Sequence, residues 1–422
     1  MKLHWQIFIA LAFAAVVGVT LGQLPSAQQL IWVPVLDFIG TLFLNALKML
    51  IVPLITAAII SGLANLSGGT GLGRLGFKTV AYYLSTSLIA ILIGLTLANV
   101  LMPGIVAGEP AAQLMGLAAN TEQVLAGIEG RGSGDVVGIF LRMLPPNVIA
   151  AAAQGQMLGL IVFSLLFGFA ITRLSGELRA TQQQFWNGVY EVMISITNLV
   201  MRFAPIGVFA LVAEVIAQTG WQGLRPVLMF FVTVAGALLV HMFVVLPIVL
   251  RIVARVSPLR HYQAMAPALL TAFSTSSSSA TLPLTIDCVQ RRAGVSKRTS
   301  SFVLPLGATI NMDGTALYEC VAVLFIAQAY GIQLDLAAQF LIVVTALLTS
   351  VGVAGIPSAS LVAIAVILGA VGLPLEGIGL ILVVDRVLDM CRTTVNVFSD
   401  SCGAVTIARL EGEQDILNVK PD

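Results

Sequence analysis

The sequence predicts an all-α polytopic membrane protein whose C-terminal half contains two re-entrant helical hairpins. Three observations predict it. Apolar residues make up 58% of the 422-residue chain and charged residues only 10%, against about 25% charged in a soluble domain. Mean hydropathy is +1.00, and apolar runs at or above the roughly 20 residues that cross a bilayer recur along the whole chain. Two apolar stretches near the C-terminus are each broken by small, turn-forming residues. The net charge of +1, from 21 Lys and Arg against 20 Asp and Glu, offers nucleic acid no footing. His4, His241 and His261 and the four cysteines (Cys288, Cys320, Cys391, Cys402) are too few and scattered for a heme, iron–sulfur or zinc site. No CxxC pair occurs, so no disulfide framework or redox motif is expected. Soluble enzymes, disulfide scaffolds and disordered chains are excluded.

The elements follow in order. Ile7–Leu21 reads as a true first span rather than a signal peptide, because apolar runs continue to the C-terminus and the small-residue cleavage pattern is poor. Further spans are expected near 31–65, 79–103, 136–172, 183–216 and 224–250. Several exceed 30 residues and must tilt or bend, with Pro53 and Pro205 as kink sites. Residues 104–135 are the longest polar interruption and read as a surface loop. The stretch 262–290 is broken by Ser274–Ser279 and Pro283, and 336–372 is broken by Ser350–Ser358. Each half is too short to span, so each stretch reads as a hairpin. A span with mid-membrane polar residues follows each hairpin, at 301–329 and 377–408. A hairpin paired with a broken helix, twice over, points to an inverted-repeat secondary transporter.

Lys and Arg in short loops set the orientation. Arg74 and Lys78, Arg173 and Arg179, Arg251, Arg255 and Arg260, and Arg291, Arg292, Lys297 and Arg298 fall on alternate connections and read as cytoplasmic. The first hairpin then opens inward and the second outward.

The strongest chemical signal is in the last span. Asp385, Asp389, Arg392, Asn396 and Asp400 are spaced by four, three, four and four, which makes one helical stripe with Thr393 beside it. Such groups can be self-neutralising pairs, yet in mid-membrane they usually mark a transport pathway. Arg392 suits a carboxylate, and Asp389 an ammonium. In the preceding span, Asn311 and Asp313 are two apart, and Gly314 would permit local unwinding that gathers side chains and freed carbonyls around a hard cation. Tyr83, Thr86 and Ser87 share one helical face; by spacing alone they read as interhelical hydrogen bonds. Glu319 lies two steps of four past Asn311 and has no basic neighbour in sequence. It reads as either a proton carrier or a buried hydrogen-bonded carboxyl.

These residues resemble the dicarboxylate/amino acid:cation symporter family, which includes the glutamate and aspartate transporters. The matching strings are SSSSATLPLT (276–285), GATINMDGTALYE (307–319), SVGVAGIPSAS (350–360) and DRVLDMCRTTVNVFSD (385–400), with looser matches at LNALKMLIVPL (44–54) and YYLSTS (82–87). The resemblance implies eight transmembrane helices plus two re-entrant helical hairpins with inverted repeats, a homotrimer, and elevator-type movement. On that layout residues 1–75 are the first two helices of a scaffold. Residues 76–135 hold the third helix, part of the moving unit, and an extracellular loop. Residues 136–220 are the fourth and fifth helices, for scaffold and trimerisation. The transport core is 221–422: a sixth helix, hairpin 259–292, helix 299–330, hairpin 335–373 and the last helix 376–410.

Carried over by position, Asp389 resembles the residue that holds the substrate ammonium and Arg392 the one that holds its side-chain carboxylate. Thr393, Asn396, Thr315, Ser277, Ser278 and the backbone of Ala354, Gly355, Ile356, Pro357 and Ser358 resemble the rest of the substrate shell. Asn311, Asn396, Asp400 and the Gly307 carbonyl resemble one sodium site. Tyr83, Thr86, Ser87, Asn311 and Asp313 resemble a second, which replaces the structural reading of the hydroxyl triplet. Thr309, Met312, Ser350, Val351 and Val353 resemble a third. Some relatives carry arginine where this chain has Ser276, and others where it has Met390; Arg386, one turn before Met390, is the candidate stand-in. Glu319 matches proton-coupled relatives, whereas sodium-only relatives are neutral there, so H⁺ is expected beside or in place of Na⁺.

The expectation is a multi-pass symporter of the cytoplasmic membrane with both termini inside, importing L-aspartate or L-glutamate. It would need no cofactor beyond coupling Na⁺ and H⁺, and its partners would be the substrate, the bilayer and its own trimer. Neutral amino acid and C4-dicarboxylate symporters are the alternatives. Asp389 argues against the dicarboxylates and Arg392 against the neutral substrates. An intramembrane hydrolase is disfavoured, since the serines have no nearby His or Lys base and Asp389 and Asp400 are eleven apart. An ion channel would pass current without stoichiometric uptake.

Overall fold

The computed structural model describes residues 3–64, 73–106, 108–111, 144–154, 157–219, 224–350 and 360–417. Among them almost all regular backbone is helical. Two two-residue strands, Ile105–Val106 and Glu109–Pro110, pair antiparallel at the start of the expected surface loop. Most of that loop, 112–143, lies outside the described residues, as does the second hairpin's tip, 351–359.

The first layer is peripheral. α1 (Leu3–Gly22) packs along α7 (Ala204–Thr219), and α2 (Ser26–Ala64) packs against α5 (Met157–Arg173), α6 (Gly176–Arg202) and α7. α2 runs on through Pro34 and Pro53 for 39 residues. At 1.5 Å per residue this is about twice the hydrocarbon thickness, so α2 must tilt or project beyond it.

Two expected spans are broken helices. The run 136–172 is interrupted by Pro145-Pro146, after which Asn147 caps a short α4 (Val148–Ala153) by accepting from the Ile149 and Ala150 N–H groups at 2.9 and 3.0 Å. α5 then begins at Met157; residues 136–143 lie outside the described residues. The run 183–216 divides into α6 and α7, bent by 52° at Phe203. Pro205 has no N–H to continue α6 but fits the first turn of a new helix.

The second layer carries the chemistry. It contains α3 (Gly73–Leu101) and α8 (Leu224–Val240), which continues to Ala254 through π-helical segments His241–Val245 and Leu250–Ala254. The first hairpin is α9 (Pro258–Thr275) and α10 (Ser278–Asp287). Its serine run is the reversal: Ser276 is left-handed at φ 50°, and the Ser277 hydroxyl caps α10 by accepting from the Ala280 N–H at 3.2 Å. α11 (Lys297–Ile310), α12 (Asp313–Ala329), the second hairpin α13 (Leu336–Ser350) and α14 (Ser360–Val371), and α15 (Ile378–Leu410) complete the chain. The expected helix 299–330 is two helices.

α12 is the centre. Apart from Gln328, every residue from Asp313 to Ala329 is buried, against α3, α8, α13 and α15. The runs Leu75–Leu101, Arg225–Ala254 and Lys297–Ala329 are long and apolar enough to cross a membrane, and at Asn311 and Met312 the last is enclosed by protein. Backbone can depart from helix at membrane depth only inside such an enclosure, and here it does so at Asn311–Met312.

Candidate functional site

The stripe on α15 is one buried ionic network. Arg392, 1% exposed, donates through Nη1 to Asp385 Oδ1 at 3.0 Å and through Nε to Asp389 Oδ1 at 3.1 Å; its Nη2 lies 2.9 Å from the same Asp389 oxygen. Its guanidinium carbon stands 4.1 Å over the Tyr318 ring, and the Tyr318 hydroxyl donates to Asp385 Oδ1 at 2.8 Å. Arg386 donates through Nη1 to the other Asp389 oxygen, Oδ2, at 3.3 Å. Two carboxylates and two guanidiniums therefore balance in formal charge within two turns. Isolated, each would be prohibitively costly to bury.

The break between α11 and α12 corrects one expectation. The non-helical residues are Asn311 (φ −111°, ψ 85°) and Met312 (φ −116°, ψ 58°), not Gly314, which is inside α12. Gly314 serves close approach: a Cβ there would stand 2.6 Å from the Arg392 carbonyl oxygen. That contact lets Asn396 Oδ1 accept from the Gly314 N–H at 2.8 Å and from the Thr315 N–H at 3.4 Å, while its Nδ2 donates to Thr315 Oγ1 at 3.0 Å. Asn396 thus caps α12 from α15 and satisfies N–H groups that the break would otherwise orphan.

Asp313, fully buried, is the hub of a second cluster. Its Oδ1 accepts from Ser87 at 2.6 Å and Thr86 at 3.3 Å, and its Oδ2 from Ser399 at 2.6 Å, with His241 Nε2 at 2.9 Å. Asn311 Nδ2 donates to Asp400 Oδ1 at 2.8 Å and Ser399 Oγ at 3.1 Å, and Thr86 Oγ1 lies 3.5 Å from Asn311 Oδ1. The Tyr83 hydroxyl donates to the Val303 carbonyl at 2.8 Å. Gly307 packs where any Cβ would strike the Asp400 carboxylate and the Tyr83 hydroxyl. Members of the first two expected sodium sites thus form one continuous oxygen-rich core, while Asn396 bonds to α12 instead.

The third expected cation set lies only partly within the described residues. Thr309 is exposed and its hydroxyl turns back to the Leu306 carbonyl at 2.8 Å, whereas Met312 and Ser350 are buried and Ser350 bonds the Leu347 carbonyl at 2.8 Å. Val351 and Val353, and the expected substrate contacts Ala354, Gly355, Ile356, Pro357 and Ser358, lie outside the described residues. Ser277, Ser278 and Thr393 are buried, the serines at the first hairpin's tip and Thr393 next to Arg392.

Glu319 does not share a face with Asn311 as a continuous helix would require, because the break resets the helical phase. Its Oε2 accepts from Thr349 Oγ1 on the second hairpin at 3.0 Å, and its buried Oε1 has no partner among the described residues. Sequence reasoning missed Tyr318, Ser399, His241 and Thr349. Ser399, three residues past Asn396, was available from the stripe's own spacing. His241 is 72 residues from Asp313 and carried no local signal.

A buried network of ionisable groups, inside a chain with helices long and apolar enough to cross a membrane, is the mark of a membrane transport protein. The model of the sodium:dicarboxylate symporter family matches residues 3–410, and the chain belongs to that family. It is 36% identical over 414 residues to a proton/glutamate-aspartate symporter of Escherichia coli (strain K12), covering 98% of this chain and 94% of that one. It is 33% identical to a proton/sodium-glutamate symport protein of Bacillus caldotenax (97% and 95% covered) and 34% identical to excitatory amino acid transporter 3 of Mus musculus (97% and 86% covered).

Proposed function

We propose that the chain is a multi-pass symporter of the cytoplasmic membrane that imports L-aspartate or L-glutamate. The observation that carries this reading is the pairing of Asp389 with Arg392 inside the stripe. An acidic amino acid brings an ammonium for the first and a side-chain carboxylate for the second. A neutral amino acid would leave Arg392 without a ligand anion, and a C4-dicarboxylate would bring Asp389 no cation. The names of the relatives support the same substrate class.

On this reading Thr315, Thr393, Asn396, the first hairpin's Ser277 and Ser278, and the second hairpin's tip at 354–358 complete the substrate shell. The buried cluster of Tyr83, Thr86, Ser87, Asn311, Asp313 and Asp400, with the Gly307 carbonyl, supplies hard oxygen donors suited to Na⁺. Thr309, Met312, Ser350, Val351 and Val353 form a third cation site. Asn396, bonded to Thr315, ties the substrate shell to the α12 break that carries Asn311 and Asp313, so cation and substrate binding are coupled. Glu319 is the proton carrier, its carboxyl poised against the second hairpin. The unit built from α3, α8 and residues 258–410 moves as the carrier against a scaffold of α1, α2 and α4–α7. Eight spans, a homotrimer and cytoplasmic termini complete the reading.

Uptake of labelled aspartate into proteoliposomes, with Na⁺ and H⁺ gradients imposed separately, tests it. Accumulation above equilibrium with at least one inward gradient is expected. No gradient-driven accumulation of aspartate or glutamate would overturn it.

A further inference from the structure

Arg386, beside Asp389 and Arg392 on α15, has no role in the reading above. It is 4% exposed, so its charge is not screened by water, and its Nε has no hydrogen-bond partner among the described residues. The helical period explains its contact: Arg386 and Arg392 stand three residues before and after Asp389, and residues three apart are neighbours on a helix face. Each arginine takes a different Asp389 oxygen, Arg392 reaching Oδ1 and Arg386 reaching Oδ2 at 3.3 Å.

The two contacts have different fates when an acidic amino acid binds. On the reading above, the ligand carboxylate offers Arg392 a new anion in exchange for Oδ1. Arg386 receives no new anion, so its displacement from Oδ2 by an ammonium goes uncompensated. A carboxylate oxygen has room for more than one donor, but a guanidinium and an ammonium on the same carboxylate repel each other in a buried site.

We propose that Arg386 is a specificity-determining residue that competes with the substrate ammonium for Asp389, a tethered cation that the ligand must displace. The inference rests on the assignment of Asp389 to the ammonium. Its consequence is selective. Arg386 lowers affinity for ligands that carry an ammonium and does not oppose dicarboxylates that lack one, so it narrows the preference for amino acids over their deaminated analogues.

The experiment measures aspartate and succinate binding to the purified full-length carrier, by scintillation proximity with labelled aspartate and by competition. It compares the wild type with Arg386→Gln and Arg386→Met at fixed Na⁺ and pH. Removing the competitor should tighten aspartate binding at least about tenfold, the low end of the coupling between close, desolvated charges. Succinate should be unchanged or weaker. Arg386→Met, an apolar side chain of similar reach, carries the test if the glutamine variant does not fold. Aspartate binding that is unchanged or weaker in the folded variants overturns the inference, as does equal tightening of both ligands. A wild type that binds neither aspartate nor glutamate refutes the parent reading instead.

Discussion

Replacing Arg392 by cysteine separates substrate chemistry from the framework that holds it. The guanidinium is 1% exposed and its partners are Asp385, Asp389 and the Tyr318 ring. Its removal leaves two buried carboxylates, but neither is abandoned: Tyr318 still donates to Asp385, and Arg386 still donates to Asp389. The variant should therefore fold. For an acidic amino acid, the lost contact is a desolvated charge pair worth about 2–5 kcal/mol, or roughly 30- to 4,000-fold in affinity. A neutral amino acid has no carboxylate to strand, and with one positive charge gone its ammonium is held at least as well. Arg392→Cys should therefore lose aspartate and glutamate uptake while keeping or gaining serine or alanine uptake. The assay is competition by each amino acid against labelled serine in proteoliposomes containing the variant. If aspartate still competes better than serine, Arg392 is not the carboxylate ligand, and the clamp must be sought in Arg386 or the hairpin backbone.

Two further outcomes follow from the α12 region. Gly314→Ala places a methyl 2.6 Å from the Arg392 carbonyl, a backbone atom that cannot rotate away. It should cost about 1–3 kcal/mol by overpacking and weaken apparent Na⁺ affinity by parting Asn396 from the α12 N-terminus. Thermal unfolding in detergent and Na⁺ titration of binding check this, and wild-type values in both would remove Gly314 from the site's construction. Glu319→Gln keeps an acceptor for Thr349 but cannot exchange a proton, so uptake driven by a pH gradient should disappear while any Na⁺-driven component persists. An undiminished pH-gradient response in that variant would exclude Glu319 as the carrier.

The membrane class, the serine turn and the α15 stripe were legible because each is encoded by neighbours in sequence. Apolar run length, a serine turn, and steps of three and four depend only on the helical period, so spacing alone puts Asp385, Asp389 and Arg392 on one face. Arg386 shows the limit of that logic even within a helix. Six residues from Arg392, it is no direct neighbour, yet both reach Asp389, because a carboxylate has two oxygens and an arginine a long stem. Between helices the period decides nothing. Thr86 and Ser87 meet Asp313 across more than 220 residues, and His241 meets it through a π-helical segment of α8. The break at Asn311–Met312 resets the phase of α12, so Glu319 turns to Thr349 instead of sharing a face with Asn311. Only the tertiary structure decided these partners, since a helix's spacing fixes which of its residues share a face but not which other helix that face will meet.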